Sequence, residues 1–314
     1  MLSQIGTNLS DILSTLQIDD YHRRYLGGML PNIDYYIDIY TRCLDKLSRK
    51  LDKRNSTLVD YGGGHGLLSI VAKQAGWHNV IYIDRDPEAA NCAKELSQAL
   101  SVEIDTLLTG DANVLADHCT ENNVAADALL GMDVIEHIYD LDTFFSTLFT
   151  RMPCLRHMSF TTASNPYNRL KCHKLRKLMD SDDTGSSECP NYYTLRYNFL
   201  TGEMEMEPKE AASWARNCRG LIYEDIRKKV ELRAMPHPTD RHNTCDPRTG
   251  NWTERILPID EYRKVVTHHG ATLSLYNGFF NEHHHGLKGL AAKMLNTIDS
   301  KHFAPFIVLE IDRP

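Results

Sequence analysis

The chain has 314 residues, 42% of them hydrophobic and 25% charged, a balance that supports a sizeable core and excludes wholesale disorder. A formal net charge of -7 argues against coating nucleic acid through a global field, and no apolar run approaches the ~18 residues of a spanning helix, so no membrane insertion is expected. No basic stretch followed by an apolar one opens the chain, and eight cysteines without a CxxC pair read as reduced packing thiols of a cytoplasmic protein.

Residues 8–53 carry apolar positions at helical spacing, with a turn expected at "GGMLPN", and form an N-terminal helical cap over 1–53. From Thr57 the texture changes: "TLVDYG", "NVIYID", "VEIDTLLTG", "DALLGMD" and "LRHMSFTTAS" read as strands alternating with helices such as "PEAANCAKELSQAL". Asp86 is placed to cap that helix, with Pro87 at its first position. Strands alternating with helices imply crossover units and a parallel sheet covered on both faces over 54–164. Between 165 and 250 the rhythm stops, which reads as an insertion or lid subdomain after strand five. Helix and strand patterns return over 251–314, where "ATLSLYNGFF" and "PFIVLEID" supply two further strands.

"LVDYGGGHGLL" at the end of the first strand demands explanation. Glycines there let the chain turn tightly and let a ligand approach the backbone beside the next helix N-terminus. A dinucleotide fingerprint begun at Gly62 needs glycine at 67 and finds Leu67, and no Lys-Ser/Thr pair follows for a phosphate loop. NAD and ATP are both demoted.

The pattern Asp60-x-Gly62-x-Gly64-x-Gly66, with Asp84 ending "VIYID", "GDA" at 110–112 and "DVIEHI" at 133–138, resembles the class I S-adenosylmethionine-dependent methyltransferases. Within them it is nearest in pattern to the ubiquinone-biosynthesis O-methyltransferase type. The resemblance implies a Rossmann-like α/β fold with a seven-stranded, mostly parallel sheet and helices on both faces. It implies S-adenosylmethionine as cofactor, with Asp84 on the ribose hydroxyls, Asp111 on the adenine amino group and Gly62 and Gly64 beneath the methionine part. Asp60 would position the Gly66-containing loop or reach the amino group, and Met132 and Asp133 would contact the cofactor beside the transfer site. His65, at a variable position of the motif, is given an exposed loop role.

Glu136 and His137 fall on the substrate side. A similar E-x-x-E-H element binds metal in the small-RNA terminal 2'-O-methyltransferases, so Asp133, Glu136 and His137 admit a divalent metal, although no metal is the favoured reading. His137 and His242 are the candidate catalytic residues, since a neutral imidazole can take a proton near pH 7; His237 is a weaker choice. Arg23, Arg24 and Tyr25 can close over a carboxylate, and "NEHHHG" at 281–286 reads as a loop near the substrate side. The function expected is methylation of an oxygen or nitrogen of a small-molecule acceptor, with nucleic acid disfavoured and oligomeric state undetermined. Two alternatives stand beside it. One is a metal-assisted RNA methyltransferase, suggested by five Lys/Arg and no acid in "NRLKCHKLRKL". The other is a non-catalytic cofactor-binding regulatory subunit.

Overall fold

The computed structural model describes residue 9 and residues 11–185, 191–238, 240–298 and 300–314. Seven strands form one sheet in the order β3-β2-β1-β4-β5-β7-β6. They are β1 (Thr57–Tyr61), β2 (Asn79–Asp84), β3 (Thr106–Thr109), β4 (Ala128–Met132), β5 (His157–Thr162), β6 (Thr272–Asn277) and β7 (Ile307–Asp312). The first five are mutually parallel, and β7 runs antiparallel between β5 and β6.

Every residue of β1 is buried, as a central parallel strand covered on both sides requires. Successive side chains divide between the two faces. Leu58, Val80, Tyr82, Ala128 and Leu130 join one apolar cluster, and Val59, Ile81, Ile83 and Leu129 join the other. On the first face lie α1 (Asp20–Met29), α2 (Ile33–Ser48), α3 (Leu67–Gln74) and α4 (Pro87–Ala99). On the second lie α5 (Ala112–Glu121), α6 (Leu141–Arg151) and α11 (Ile259–His268), reached after α7 (Arg169–Thr184), α8 (Tyr192–Gly202), α9 (Pro208–Asn217) and α10 (Tyr223–Glu231).

Asp86 caps α4, its Oδ1 accepting from Glu88 N at 2.9 Å, with Pro87 following as the sequence indicated. "GGMLPN" is less of a turn than expected: Gly27 and Gly28 continue α1, and only Leu30–Asn32 tighten into a 3-10 turn before α2. The 192–231 helices enclose an apolar cluster of their own around Phe199, Leu200, Trp214 and Ile226. Buried Arg196 ties that cluster to α7 through Asp183 at 2.7 Å and to α9 through the Ala215 carbonyl at 2.8 Å. The seven described cysteines are unbridged, and six of them are buried; Cys189 lies outside the described residues. Among the described residues no helix is long and apolar enough to cross a membrane.

The chain leaves β6 at Asn277 and returns at Ile307 after a detour that carries α12 (Leu287–Asn296). Phe279 from this detour packs edge-on against both Tyr35 and Phe306, which draws it against α2.

Candidate active site

The glycine loop leaves β1 beside the end of β2. Gly62 and Gly63 donate their amides to Ile83 O at 2.8 and 3.2 Å, so the loop folds back over the neighbouring strand. Gly62 has φ +68°, and a Cβ there would fall well inside contact distance of Val134 Cγ2 and 2.9 Å from its Cβ. Gly62→Ala is therefore expected to cost about 2–4 kcal/mol, from left-handed strain plus overpacking, read as a lowered urea midpoint at unchanged slope. Wild-type stability in this variant would mean that the loop has another conformation available. Gly64 also has positive φ, at +52°, but a Cβ added there meets nothing within 4 Å, so it would project into open space.

That space is a cavity of ≈ 470 Å³. Its floor comes from the sheet: Asp60, Gly62, Gly63 and Gly64 after β1, and Met132 and Asp133 after β4. Its wall comes from α1 and α2, which contribute Tyr25, Met29, Tyr35, Tyr36, Ile39 and Tyr40. His65 of the glycine loop and Leu67 after it, Thr161 and Ala163 at the end of β5, Lys171 from α7, and Pro305 and Phe306 from the β6–β7 detour also line it.

Asp60 is 1% exposed, and its Oδ2 accepts from the Ser69 amide at 3.0 Å and the Ser69 hydroxyl at 2.6 Å. Burial pushes its pKa up to about 7; the Ser69 bonds pull it down, and the nearby charge of Asp84 adds to the rise. Asp84 braces the loop from the next strand, its Oδ2 accepting from Gly64 N at 2.9 Å and its Oδ1 from Asp86 N at 3.0 Å. Asp111 caps α5, accepting from Asn113 N at 2.8 Å, and Gly66 with φ +75° precedes α3. Asp84, Gly66 and Asp111 are not among the residues that line the cavity.

Asp133 sits at φ +50°, a left-handed conformation that a non-glycine residue holds only when its surroundings over-determine it. Here its amide donates to Thr161 O and Oγ1, both at 3.1 Å, and its Oδ1 accepts from Ala163 N at 3.1 Å. Water reaches the carboxylate through the cavity, yet the enclosing protein atoms and then the charge of Glu254 raise its pKa. Tyr25 is half exposed, yet the protein atoms around its hydroxyl, with the charge of Asp133 adding to them, push the phenol up to about 12, so it stays a neutral hydroxyl.

The run after β5 holds these pieces in place. Thr162 Oγ1 donates to Glu136 Oε1 at 2.7 Å, and Ser164 Oγ to Glu254 O at 3.0 Å. Asn165 and Asn168 donate to Ala304 O at 3.0 and 3.1 Å, which pins the turn before Pro305. Burial and the Asp133 charge raise the pKa of Glu136 well above the carboxylate range, and its Oε2 has no partner.

Several candidate residues fall away from the cavity wall. His137 Nδ1 lies 2.6 Å from Trp252 O; a carbonyl only accepts, so this nitrogen carries the hydrogen. His242 faces Asp180 on α7, Nδ1 to Oδ2 3.0 Å, and His237 is exposed. Arg23 is committed to the carbonyls of Leu13, Leu16 and Ile18, and Arg24 is exposed. In the histidine tract His283 pairs with Asp38 at 2.8 Å. Among the described residues no three His, Cys, Asp or Glu side chains converge as a metal ion requires. Glu136, His137 and Asp133 have separate partners instead.

His65 is the clearest departure. Expected in an exposed loop, it is 6% exposed, lines the cavity and stacks on Tyr25 with ring centroids 4.7 Å apart. Burial, with His22 adding to it, pushes its pKa down to about 4, so it is a neutral imidazole at ordinary pH. Of the tyrosine wall the sequence singled out Tyr25 alone; Tyr35, Tyr36, Tyr40 and Phe306 went unrecognised, and Lys171 figured only as part of a basic stretch. The only local hint was the aromatic density of "IDYYIDIY".

The methyltransferase-domain family model matches residues 33–197, just over half of the chain. The chain belongs to that family. The matched domain is that of an enzyme. This methyltransferase is 38% identical over 88 residues to the ribosomal protein L11 methyltransferase of Vibrio vulnificus strain CMCP6, a match covering 27% of this chain and 30% of that one. To the protein of the same name from Burkholderia cenocepacia strain HI2424 it is 37% identical over 62 residues, 20% of each chain. This methyltransferase therefore spans less than a third of the curated relatives it matches. Among solved structures, magnesium protoporphyrin IX methyltransferase from Synechocystis PCC 6803 aligns over 95% of this chain and 89% of its own at 13% identity, with a TM-score of 0.44.

Proposed function

We propose that this methyltransferase transfers the methyl group to an oxygen or nitrogen of a small molecule, with the acceptor held between the glycine loop and the tyrosine wall. The observation that carries the reading is the cavity itself. Its floor is the loop whose Gly64 amide is fixed by Asp84, and at Gly64 the absent side chain leaves open space.

The residues present fit the cofactor. Its two ribose hydroxyls need acceptors, which Asp84 can offer in addition to bracing the loop. Its amino-acid tail carries an ammonium that Asp60 can receive, and Asp111 stands over the next loop for the adenine. Gly64, where a Cβ would meet nothing within 4 Å, leaves the backbone open to close approach, Gly62 and Gly66 hold the left-handed turns of the loop against Val134 and Ala93, and Met132 and Asp133 flank the reacting end. When bound, S-adenosylmethionine supplies the activated methyl group; the chain supplies alignment and exclusion of water, of which alignment alone is worth ~7–11 kcal/mol.

Among the groups lining the cavity, those able to take a proton are Asp60, Asp133 and the neutral His65. His137 and His242 act at a distance in this reading, as brackets that hold the 252 loop and the 242 turn to the core. A small acceptor is favoured over RNA because the cavity is lined by apolar and phenolic groups, and Lys171 of the basic stretch turns into it. A cytoplasmic location belongs to the same proposal.

The test is calorimetric titration with S-adenosylhomocysteine, followed by transfer of labelled methyl to a panel of small amines, phenols and carboxylates, with total RNA in parallel. Binding plus label on a small acceptor supports the proposal. A folded protein that binds no S-adenosylhomocysteine would sink the assigned cofactor site, label on RNA alone would move the acceptor to the second reading, and binding without transfer would favour the regulatory one.

A further inference from the structure

A surface helix ordinarily turns its apolar stripe inward. Helix α12 is built the other way. The residues it buries are the small Gly289 and Ala292, while Leu287, Leu290 and Met294 stand 84%, 57% and 64% exposed. Past the helix, Ile298 and Phe303 are likewise 52% and 58% exposed. Three large apolar side chains exposed on one helix face mark an interaction surface rather than a scattering of lone residues.

Its charges indicate the partner. α12 contains Lys288 and Lys293 and no acid, in a chain whose net charge is -7. At 3.6 residues per turn the two lysines project about 90–130° to either side of the apolar stripe, so both heads flank it. Glu282, just before the helix, receives the Asn296 amide at 2.6 Å, and the exposed Asp38 beside this detour is paired with His283. An apolar stripe flanked by lysines whose stems can lie along apolar surface is the pattern of a helix resting in a lipid headgroup layer. Two copies packed through the same stripe about a two-fold axis would bring the lysines of α12 together with no acid on the helix to meet them.

We infer that α12 is a docking surface for an anionic lipid membrane, on which the protein rests without spanning it. The same detour supplies Pro305 and Phe306 to the cavity wall, so the docked surface and the site belong to one segment. Asn165 and Asn168 tie the base of that segment to the turn after β5.

The test is cosedimentation of the full chain with vesicles of phosphatidylcholine alone and of phosphatidylcholine mixed with phosphatidylglycerol. Expected is binding to the mixed vesicles that weakens with added salt and falls at least about tenfold for Leu290→Asp and for the double variant Lys288→Glu/Lys293→Glu. Both variants change exposed positions, and unaltered melting checks that they fold. No binding to mixed vesicles, or equal binding by the variants, overturns the inference. Equal binding to the neutral vesicles overturns the anionic assignment. A concentration-dependent dimer in light scattering that Leu290→Asp dissolves gives the face to a second copy instead.

Discussion

Asp84→Ala is expected to weaken S-adenosylhomocysteine binding by about 100-fold or more while leaving the urea midpoint little changed. The carboxylate has two structural tasks, accepting from Gly64 N at 2.9 Å and from Asp86 N at 3.0 Å. In the proposed site it has a third, the ribose hydroxyls. Hydrogen bonds to a charged group are worth about 1.5–3 kcal/mol each, so losing two on the ligand side removes about 3–6 kcal/mol of binding. The fold loses less, because water can reach the half-buried amides left behind. Calorimetric titration of wild type, Asp84→Ala and Asp84→Asn reads the effect directly. Asn keeps one acceptor oxygen and should fall between the other two. An Asp84→Ala affinity within about threefold of wild type would remove this residue from the cofactor site.

The second large effect is on stability against pH, through Asp60. Its ordinary value is 3.8, and burial holds it at about 7 in the folded chain. As pH rises from 4 the unfolded chain gives up this proton while the folded chain keeps it, so folding takes up a proton throughout that window. The stability from this group is complete below about pH 4 and is lost as pH rises through 7, by about 2–4 kcal/mol in all. Asp133 and Glu136, both raised, contribute with the same sign. Asp60→Asn keeps an acceptor for the Ser69 amide and hydroxyl and has no charge to bury. Its stability should decline less from pH 4 to pH 8 than that of wild type, measured by urea unfolding at several pH values. Parallel profiles for the two proteins would show that Asp60 is ionised in the fold. In the proposed site a cationic cofactor tail beside Asp60 favours the carboxylate, so binding by wild type should release a proton in this window, and binding by Asp60→Asn should not.

These two residues also mark how far the sequence reaches. Asp60 lies one residue before the end of β1 and Asp84 ends the adjacent parallel β2, and the alternation of Leu58, Val59, Val80 and Ile81 between the two faces follows from the two-residue period of a strand. The demand for glycine at 62 and 64 is local as well, because backbone with positive φ is strained for any residue with a Cβ. The cap at Asp86 needs only its own helix. For these reasons the sheet, the glycine loop and the family were determined by sequence alone.

The cavity was not. Its wall is made by Tyr25, which the sequence offered only as one of three residues able to close over a carboxylate, and by Tyr35, Tyr36 and Tyr40, which read only as helical residues with an apolar period. Whether such a helix lies over the ends of the strands or elsewhere depends on its docking against α3 and the β6–β7 detour. That is settled by packing over 244 residues of separation, as in the Tyr35 hydroxyl that donates to Phe279 O at 2.6 Å. The same docking decides the fate of the histidines. His65 is buried beneath Tyr25 because α1 closes over it, whereas His137 and His242 find Trp252 and Asp180 as partners. Charge state follows burial, and burial is a property of the assembled fold; a sequence names the groups that can titrate, and only the tertiary structure sets which of them face the cavity and in what form.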